Sequence, residues 1–251
     1  GDYPAGRTGE MKAIGVIPAR LAATRLPNKP LLDIAGKPMV QWVWEQASKA
    51  SCLDKVIVAT PDPEIAEACA RFGAPVALTS PDHPTGTDRV AEAVSAEQAD
   101  IIVNIQGDEP LTDPGSLDSL VTAMVKNPKA ALGSLMFELT DSEDPDDPNL
   151  VKVVTSDTGY ALYFSRLPVP YPRGIEKPVR YGHVGIYAWR RKRLFEFTRL
   201  PCSPLEVAES LEQLRALSAG WLVLMVQTSY RPIGVDTPED LERVRRSMHA
   251  G

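Results

Sequence analysis

Three short runs of apolar, β-branched residues mark the first half of the chain. They are Ile14–Ile17, Val56–Ala59 and Ile101–Ile105, and stretches with helical periodicity separate them. Each run is apolar without alternation, as expected of a strand that is buried on both faces of a parallel sheet. The pattern predicts a doubly wound α/β fold for this half of the chain.

Proline, aspartate and glycine give the intervening helices clear ends. The predicted helices are Met39–Ala50, one that runs from Asp62-Pro63 to Gly73, and one that runs from Asp113-Pro114 to Lys126. A strand is predicted near Ala131–Phe137. The acidic, proline-interrupted segment Thr140–Pro148 suits neither a helix nor a central strand, so we expect an exposed loop there.

Beyond this loop the predicted elements are mainly short strands and helices. In chain order they are strands Leu150–Thr155 and Tyr160–Ser165, the proline-rich loop Leu167–Pro178, strand Tyr181–Trp189, helices Arg191–Arg199 and Pro204–Leu217, and strand Leu222–Gln227. A last helix begins at Thr237, where Thr-Pro-Glu-Asp predicts a capping box between Thr237 and Asp240.

Composition narrows the class of protein. With 251 residues, 43% of them hydrophobic and 24% charged, the chain is typical of globular proteins and long enough for an enzyme core. A formal net charge of −6 argues against a nucleic-acid binder, which needs clustered lysine and arginine. Cys52, Cys69 and Cys202 are odd in number and lack CxxC spacing, so we expect buried thiols in a reducing compartment.

Targeting signals are absent from the sequence pattern. No run approaches the ~18 apolar residues of a membrane span, and the first residues contain no apolar signal core, so no membrane association and a cytoplasmic location are expected. Residues 1–10 are polar and without periodicity, and we expect a leader or a disordered extension there.

The loop after the first predicted strand carries three cations, Arg20, Arg25 and Lys29. Loops at the C-terminal ends of strands form the ligand crevice of a doubly wound sheet. Arginine can bind phosphate oxygens bidentately and lysine supplies a point charge, so the loop suits a triphosphate. It lacks the GxGxxG and GxxxxGK[ST] patterns, which argues against a dinucleotide-binding turn and a P-loop.

Two aspartates are candidate metal ligands. Asp108 follows the third apolar run, and the preceding Gly107 allows a close approach of substrate, so its carboxylate could hold Mg²⁺ that also contacts phosphates. Asp236 precedes the last helix, where capping needs only Thr237, so Asp236 is available for another role. A simple turn and a simple helix start would also explain these two residues.

A glycine-containing loop, His83–Val90, leads into a helix. Its backbone groups and the helix N-terminus could read a base edge or hold an anion, whereas the plainer interpretation is an N-cap at Thr87.

Two further patterns lie in the second half. Alternation places four residues of one strand on a single face, namely Tyr181, His183, Gly185 and Tyr187. In the predicted helix Pro204–Leu217, the apolar side contains Leu205, Leu211 and Leu214, and the polar side contains Glu209, Glu212 and Gln213. Without other information, a structural histidine and a solvent-facing helix side explain both patterns.

Taken in order, these motifs resemble those of the CMP-Kdo synthetases, the CTP:3-deoxy-D-manno-octulosonate (Kdo) cytidylyltransferases. The resemblance covers nearly the whole chain after residue 11. It rests on PARLAATRLPNKPL, HPTGTDRV, QGDEP, GVDTPEDL, and the pair HVGIY and SPLEVAESLEQLR. One position departs, since Ala23 stands where the family usually has serine. If backbone N–H groups hold the phosphates, the loss of that hydroxyl should matter little.

The resemblance implies a role for each matching residue. Those implied to bind CTP are Pro18, Ala19, Arg20, Ala22, Ala23, Lys29, Thr85, Gly86, Arg89, Gln106 and Asp108. Asp108 and Asp236 would hold Mg²⁺, and Arg20, Arg25 and Lys29 would steady the departing pyrophosphate. Those implied to bind the sugar acid are Arg166, His183, Tyr187, Glu212 and Gln213, with Arg166 pairing with its carboxylate.

The implied reaction is attack of the anomeric hydroxyl of Kdo on the α-phosphorus of CTP, which gives CMP-Kdo and pyrophosphate for lipopolysaccharide synthesis. The implied fold is a Rossmann-like, doubly wound mixed sheet of the nucleotide-diphospho-sugar transferase type. Residues 11–251 would form one nucleotidyltransferase domain, with a nucleotide-binding core (11–137 and 218–251) and a sugar-binding and dimerisation part (150–217). A homodimer is also implied.

Other interpretations differ in specific residues. A CMP-sialic acid synthetase would carry an N-terminal run richer in glycine and lysine, and a sugar-1-phosphate nucleotidyltransferase would have glycines where Ala22 and Ala23 stand. A nucleotide-binding regulator without activity and a cytidylyltransferase for 8-amino-Kdo stay open, because a pocket separates such sugars only through a few hydrogen bonds.

Overall fold

A computed structural model describes residues 11–22, 26–174 and 177–249 of the chain. Strands and helices alternate in the first half. The strands are β1 (Ala13–Pro18), β2 (Asp33–Ile34), β3 (Lys37–Pro38), β4 (Lys55–Thr60), β5 (Val76–Leu78) and β6 (Ile101–Asn104). The helices are α1 (Met39–Ala47), α2 (Pro63–Phe72), α3 (Gly86–Ala93) and α4 (Pro114–Lys126), and a 3-10 turn covers Lys29–Leu31.

The second half begins with strands and ends with a helix. Its strands are β7 (Leu132–Glu138), β8 (Lys152–Thr155), β9 (Ala161–Ser165), β10 (Tyr181–Arg190) and β11 (Val223–Gln227). Its helices are α5 (Arg191–Phe197), α6 (Pro204–Glu209), α7 (Gln213–Ser218) and α8 (Pro238–His249).

One mixed sheet organises the described residues. Its main order is β11-β7-β10-β6-β1-β4-β5. Neighbours pair in parallel except at β10, which runs antiparallel to β6 and β7. β10 also pairs with β8, which pairs with β9. The predicted doubly wound α/β fold with a mixed sheet is confirmed.

Alternate residues of the central strands fill hydrophobic cores on opposite faces of the sheet. In β1, Ile14 and Val16 pack in the core that includes α3, α5 and α7. Ala13 and Ile17 pack in the core that includes α1 and α4. This burial on both faces is the physical reason for the uninterrupted apolar runs in the sequence.

Several helix ends agree with the sequence signals. Gly73 follows α2 in the left-handed region with φ 81°, where glycine carries no Cβ penalty. The Asp113 side chain accepts a hydrogen bond from the Ser116 N–H at 2.8 Å and caps α4. The capping box before α8 is confirmed, because Thr237 accepts from the Asp240 N–H and Asp240 accepts from the Thr237 N–H.

The prediction of one helix over Pro204–Leu217 is wrong. Ser210, with φ 52°, ends α6, and α7 begins only at Gln213. Leu211 and Leu214 enter the core, whereas Leu205 is 44% exposed. The chain therefore changes direction at Ser210 and buries α7 more deeply than α6. Helical periodicity in the sequence does not reveal this change.

Two smaller predictions also change. The N-cap of α3 is Thr85, whose hydroxyl accepts from the Asp88 N–H, and Thr87 lies inside the helix.

All three cysteines are free thiols, but only Cys69 is fully buried and Cys202 is exposed, so the expectation of burial is wrong for Cys202. The short strand β5 is not predicted, because three residues carry no usable periodicity.

The described helices are short, and α4 is the longest with 13 residues. No helix in this part of the chain is long and apolar enough to cross a membrane.

We predict that Phe197→Ala lowers the free energy of unfolding by about 3–5 kcal/mol, since it leaves a cavity in a close-packed core. Phe197 is fully buried, and its ring centroid lies 4.7 Å from that of Trp189. Urea unfolding followed by circular dichroism measures the change. Val125→Ala, at a residue 44% exposed on α4, is the control and should stay within about 0.5 kcal/mol of wild type. Equal effects of the two substitutions would contradict this account of the core.

Candidate active site

A cavity of about 480 Å³ opens at the C-terminal ends of β1 and β6, within the usual size range of ligand sites. These two strands are parallel neighbours, so the loops that follow them meet. Of the predicted site residues, those that line the cavity are Pro18, Ala19, Arg20, Ala22, Lys29, Thr85, Gly86, Arg89, Gln106, Asp108 and Asp236. Ala23 and Arg25 lie outside the described residues.

Lys29 joins the two predicted metal ligands. Its Nζ donates to Asp108 Oδ2 at 2.7 Å and to Asp236 Oδ1 at 2.8 Å. Although burial acts to lower the pKa of Lys29, the two carboxylates raise it above its ordinary value. The ammonium group therefore stays charged and balances the carboxylates that converge from distant parts of the chain.

A backbone contact brings the two aspartates together. The Val235 N–H donates to the Asp108 carbonyl oxygen at 2.9 Å, which fixes the segment before α8 against the loop after β6. The Tyr230 hydroxyl donates to Glu109 Oε2 at 3.1 Å and makes a second link between the same two segments. Burial and the charge of Asp108 raise the pKa of Glu109 to about 8. Glu109 and Tyr230 are site-supporting residues that the sequence analysis did not assign.

Glycines let the loops approach closely around Pro18. A Cβ at Gly107 would lie 2.7 Å from the Pro18 carbonyl oxygen, a clash with backbone. A Cβ at Gly86 would lie 3.6 Å from the Pro18 side chain, an ordinary contact. Only Gly107 is therefore required by the close packing of these loops.

Two arginines contribute positive charge to the cavity. Arg89 is 3% exposed, and its Nη1 donates to Thr79 Oγ1 at 2.5 Å and to the Ser80 carbonyl oxygen at 3.0 Å. Burial, and next the positive charge of Arg20, lower the pKa of Arg89. Two like charges held together in a cavity favour an anionic ligand that binds between them.

The predicted sugar-binding residues His183, Tyr187, Glu212 and Gln213 converge on the α7 side of the sheet. Gln213 Nε2 lies 3.5 Å from His183 Nδ1, and the ring centroids of His183 and Tyr187 are 5.6 Å apart. Burial lowers the pKa of His183 to about 3, so this imidazole is neutral at pH 7. Burial, and next the charge of Glu212, raise the pKa of Tyr187.

Glu212 combines burial with unused hydrogen-bonding capacity. Its Oε2 accepts from Thr87 Oγ1 at 2.6 Å, whereas its buried Oε1 has no hydrogen-bond partner among the described residues. Burial raises the pKa of this carboxyl above its ordinary value. Arg215 Nη2 lies 3.9 Å from Oε1, an ion pair too long for a hydrogen bond, so Oε1 can still accept one from a ligand or from water.

Two contacts connect the cavity with this sugar-side cluster. Gln106 Nε2 donates to the Gly185 carbonyl oxygen at 2.5 Å, which ties the loop after β6 to β10. The Thr87–Glu212 hydrogen bond ties α3 to the start of α7. These two hydrogen bonds therefore connect the residues that line the cavity with the cluster of His183, Tyr187, Glu212 and Gln213.

Arg166 has different surroundings. Its guanidinium donates to the carbonyl oxygens of Pro148, Glu209 and Ser210, and it does not line the cavity. Pairing with a substrate carboxylate stays a prediction, and it would have to compete with these carbonyl groups.

Comparison with known proteins gives the family. A family model described as cytidylyltransferase matches residues 14–228. The 3-deoxy-manno-octulosonate cytidylyltransferase of Solibacter usitatus is 50% identical over 240 residues, which are 95% of each chain. That of Geobacter sulfurreducens is 48% identical over 95% of this chain and 100% of its own. The chain belongs to the 3-deoxy-manno-octulosonate cytidylyltransferase family.

A solved structure supports the same family. The structure of CMP:2-keto-3-deoxy-manno-octonic acid synthetase complexed with CTP superposes with a TM-score of 0.91 at 44% identity. The match covers 95% of this chain and 99% of the other. The resemblance inferred from the five motifs is confirmed, and so is the enzymatic class of cytidylyltransferase.

Cytidylyltransferase family membership points to a divalent metal ion, and Asp108 and Asp236 fit one. Both offer hard oxygen donors, and both already share one cation, the Lys29 ammonium. No group of three or more Asp, Glu, His or Cys residues in the described ranges could hold a metal by itself.

We predict that Gly107→Ala in this cytidylyltransferase costs about 1–3 kcal/mol of stability, because the new methyl group meets the Pro18 carbonyl oxygen. Gly86→Ala faces the same proline at an ordinary distance and should be close to neutral. Thermal unfolding of the two variants measures the difference. Gly107→Ala stability equal to that of Gly86→Ala would show that the loops are not packed as described.

We also predict a pH-dependent contribution from His183. Its folded-state pKa of about 3 lies below the ordinary value of about 6.5, so stability present above pH 6.5 is lost as the pH falls toward 3. Between pH 7 and pH 5 this contribution to the free energy of unfolding falls by about 2 kcal/mol. Urea unfolding at both pH values should show a smaller loss in His183→Gln than in wild type. An equal loss in His183→Gln and in wild type would contradict this prediction.

Proposed function

We propose that the protein transfers CMP from CTP to the anomeric hydroxyl of Kdo and releases pyrophosphate. The observation that carries this proposal is the Lys29 ammonium, held between Asp108 and Asp236 in a cavity that Arg20 and Arg89 also line. A relative with 44% identity has been solved with CTP, and named relatives act on 3-deoxy-manno-octulosonate.

The triphosphate is proposed to bind between Arg20, Lys29 and Arg89. The mutual repulsion of Arg20 and Arg89 is relieved when an anion enters, and a guanidinium suits phosphate oxygens. Gly86 lies at the first turn of α3, where backbone N–H groups face the cavity end of the helix. The cytosine base is proposed to lie against the loop that contains Thr85 and Gly86, as the family resemblance implies.

Mg²⁺ is the proposed metal, and Asp108 and Asp236 would hold it. When bound, it supplies charge stabilisation at the phosphoryl group. The chain itself supplies Lys29, whose positive charge lies beside both carboxylates and would offset negative charge that accumulates on the departing pyrophosphate.

The transfer needs no covalent intermediate on the enzyme. The anomeric oxygen forms a bond to the α-phosphorus of CTP, the bond from that phosphorus to the β-phosphate oxygen breaks, and the hydroxyl proton passes to solvent. The protein residues position the two substrates for in-line attack, which accounts for much of catalysis in phosphoryl transfer. Glu109 and Tyr230 support the position of Asp108 and are not assigned a proton-transfer role.

The sugar acid is proposed to bind against His183, Tyr187, Glu212 and Gln213. A neutral imidazole, a phenol, a carboxyl group and an amide provide both donors and acceptors, as recognition of a polyhydroxylated sugar requires. Arg166 is the proposed partner of the substrate carboxylate. Gln106 and Thr87 would keep this cluster in register with the nucleotide.

A homodimer is proposed from the distribution of apolar surface. Among the described residues, the large hydrophobic side chains that are exposed include a group in the proposed sugar-binding and dimerisation part, namely Leu162, Leu167, Tyr171, Val179, Leu205 and Val207. Contact with a second copy would remove these apolar side chains from water. Free cysteines accord with the proposed cytoplasmic location.

We predict that Asp108→Asn and Asp236→Asn each lower the rate of pyrophosphate release by about 10²–10³-fold, because each removes a charge from the reacting centre. The assay contains CTP, Kdo and Mg²⁺. Glu239→Gln, which removes an exposed carboxylate close to Asp236, is the control and should keep wild-type activity. Full activity in both aspartate variants would refute the proposed site.

The same assay tests the sugar. Kdo is expected to give the highest kcat/KM in a panel that includes 8-amino-Kdo and a sialic acid. A higher value for either of the others would reassign the substrate without changing the nucleotide half of the proposal.

A further inference from the structure

An irregularity in β10 lies between the two halves of the site. The register with β7 shifts between Val184 and Tyr187, a β-bulge that re-aims the side chains on either side of it. Ser134 of β7 is fully buried beside this bulge. Its Oγ lies 3.0 Å from the Val184 carbonyl oxygen, 2.8 Å from the Ile186 carbonyl oxygen and 2.8 Å from His183 Nε2.

The hydrogen-bonding capacity of the Ser134 hydroxyl determines which atom is the donor in each of its three contacts. A hydroxyl has one proton and two acceptor lone pairs, and a carbonyl oxygen can only accept. The Ser134 proton therefore serves the carbonyl oxygens of Val184 and Ile186, both within 3.0 Å. The contact with His183 is then one in which the Nε2–H donates and Ser134 Oγ accepts.

This arrangement selects one tautomer of the neutral imidazole. With the proton on Nε2, His183 Nδ1 carries a lone pair. Gln213 Nε2 is 3.5 Å from Nδ1, at the outer limit of a hydrogen bond, so this lone pair is available to a better donor. The rings of Phe164 and Tyr187, with centroids 4.9 Å and 5.6 Å from that of His183, restrict its rotation.

We infer that Ser134 is a positioning residue, which fixes His183 as the Nε2–H tautomer so that Nδ1 accepts a hydrogen bond from a hydroxyl of the sugar acid. The identity of that ligand rests on the proposed function, whereas the tautomer rests on the contacts of Ser134 alone. Burial, which lowers the pKa of His183 to about 3, keeps the ring neutral over the working pH range.

The first test measures the tautomer directly. The chain contains three histidines, so ¹⁵N NMR of imidazole-labelled, full-length protein at pH 7 is tractable, and His183→Gln assigns the resonances. We expect a protonated, pyrrole-type Nε2 and an unprotonated, pyridine-type Nδ1 in wild type without substrate. A protonated Nδ1, or averaged shifts that indicate both tautomers, would overturn the inference whether or not any variant folds.

The second test measures the consequence for sugar binding. Ser134→Ala should raise the KM for Kdo roughly three- to tenfold, the effect of one misplaced hydrogen bond, with kcat and the KM for CTP nearly unchanged. In this variant the ¹⁵N pattern of His183 should shift toward a mixture of tautomers. Ser116→Ala is the matched control, because it also removes a buried serine hydroxyl, one that contacts Asp113 and Thr228 at the start of α4.

The outcomes separate the two proposals. An unchanged KM for Kdo in folded Ser134→Ala, or an equal rise in Ser116→Ala, would overturn the positioning role. If wild-type protein shows the expected ¹⁵N pattern but turns over no Kdo, the proposed function fails and the sugar contact fails with it, while the assignment of the tautomer holds.

Discussion

Asp108 and Asp236 bring two carboxyl groups into one cleft, where a cation between them offsets their mutual repulsion. Lys29 supplies that cation at 2.7 Å and 2.8 Å, and the two carboxyl groups in return raise the pKa of its partly buried ammonium. Lys29, Asp108 and Asp236 come from three different segments of the chain. These segments must therefore lie close together for both contacts of Lys29 to form. The glycine at 107 and the backbone bond from Val235 to Asp108 bring those segments within reach.

The central sheet also helps to bring the loops with Lys29 and Asp108 together. β1 and β6 are adjacent and parallel, so the loop with Lys29 and the loop with Asp108 leave the sheet at the same edge. Apolar packing on both faces of the sheet holds these two strands in place. A charged cluster held on such a frame is preorganised, so little free energy is spent on ordering it when the substrates bind.

Sequence patterns correctly predicted the features that depend only on residues close together in the chain. The runs that became β1, β4 and β6, the glycine after α2 and the capping box before α8 act within a few residues, and the structure agrees with them. The break at Ser210 could not be predicted this way, since it depends on how Leu211 and Leu214, buried just after it, pack against distant parts of the chain. The meeting of Asp108 with Asp236 was reached through family resemblance, because spacing in sequence carries no distance in space. Ser134 gave no signal, as one serine in an apolar strand is compositionally unremarkable.

The β10 bulge connects the two proposed halves of the site. A bulge withdraws backbone carbonyl groups from the regular ladder, and buried carbonyl groups need donors. Ser134 serves Val184 and Ile186, while Gln106, which lines the nucleotide cavity, serves Gly185. The bulge that carries His183 and Tyr187 therefore takes donors both from the core strand β7 and from the loop that lines the cavity. Through these hydrogen bonds the proposed nucleotide and sugar sides of the site are held in one fixed arrangement.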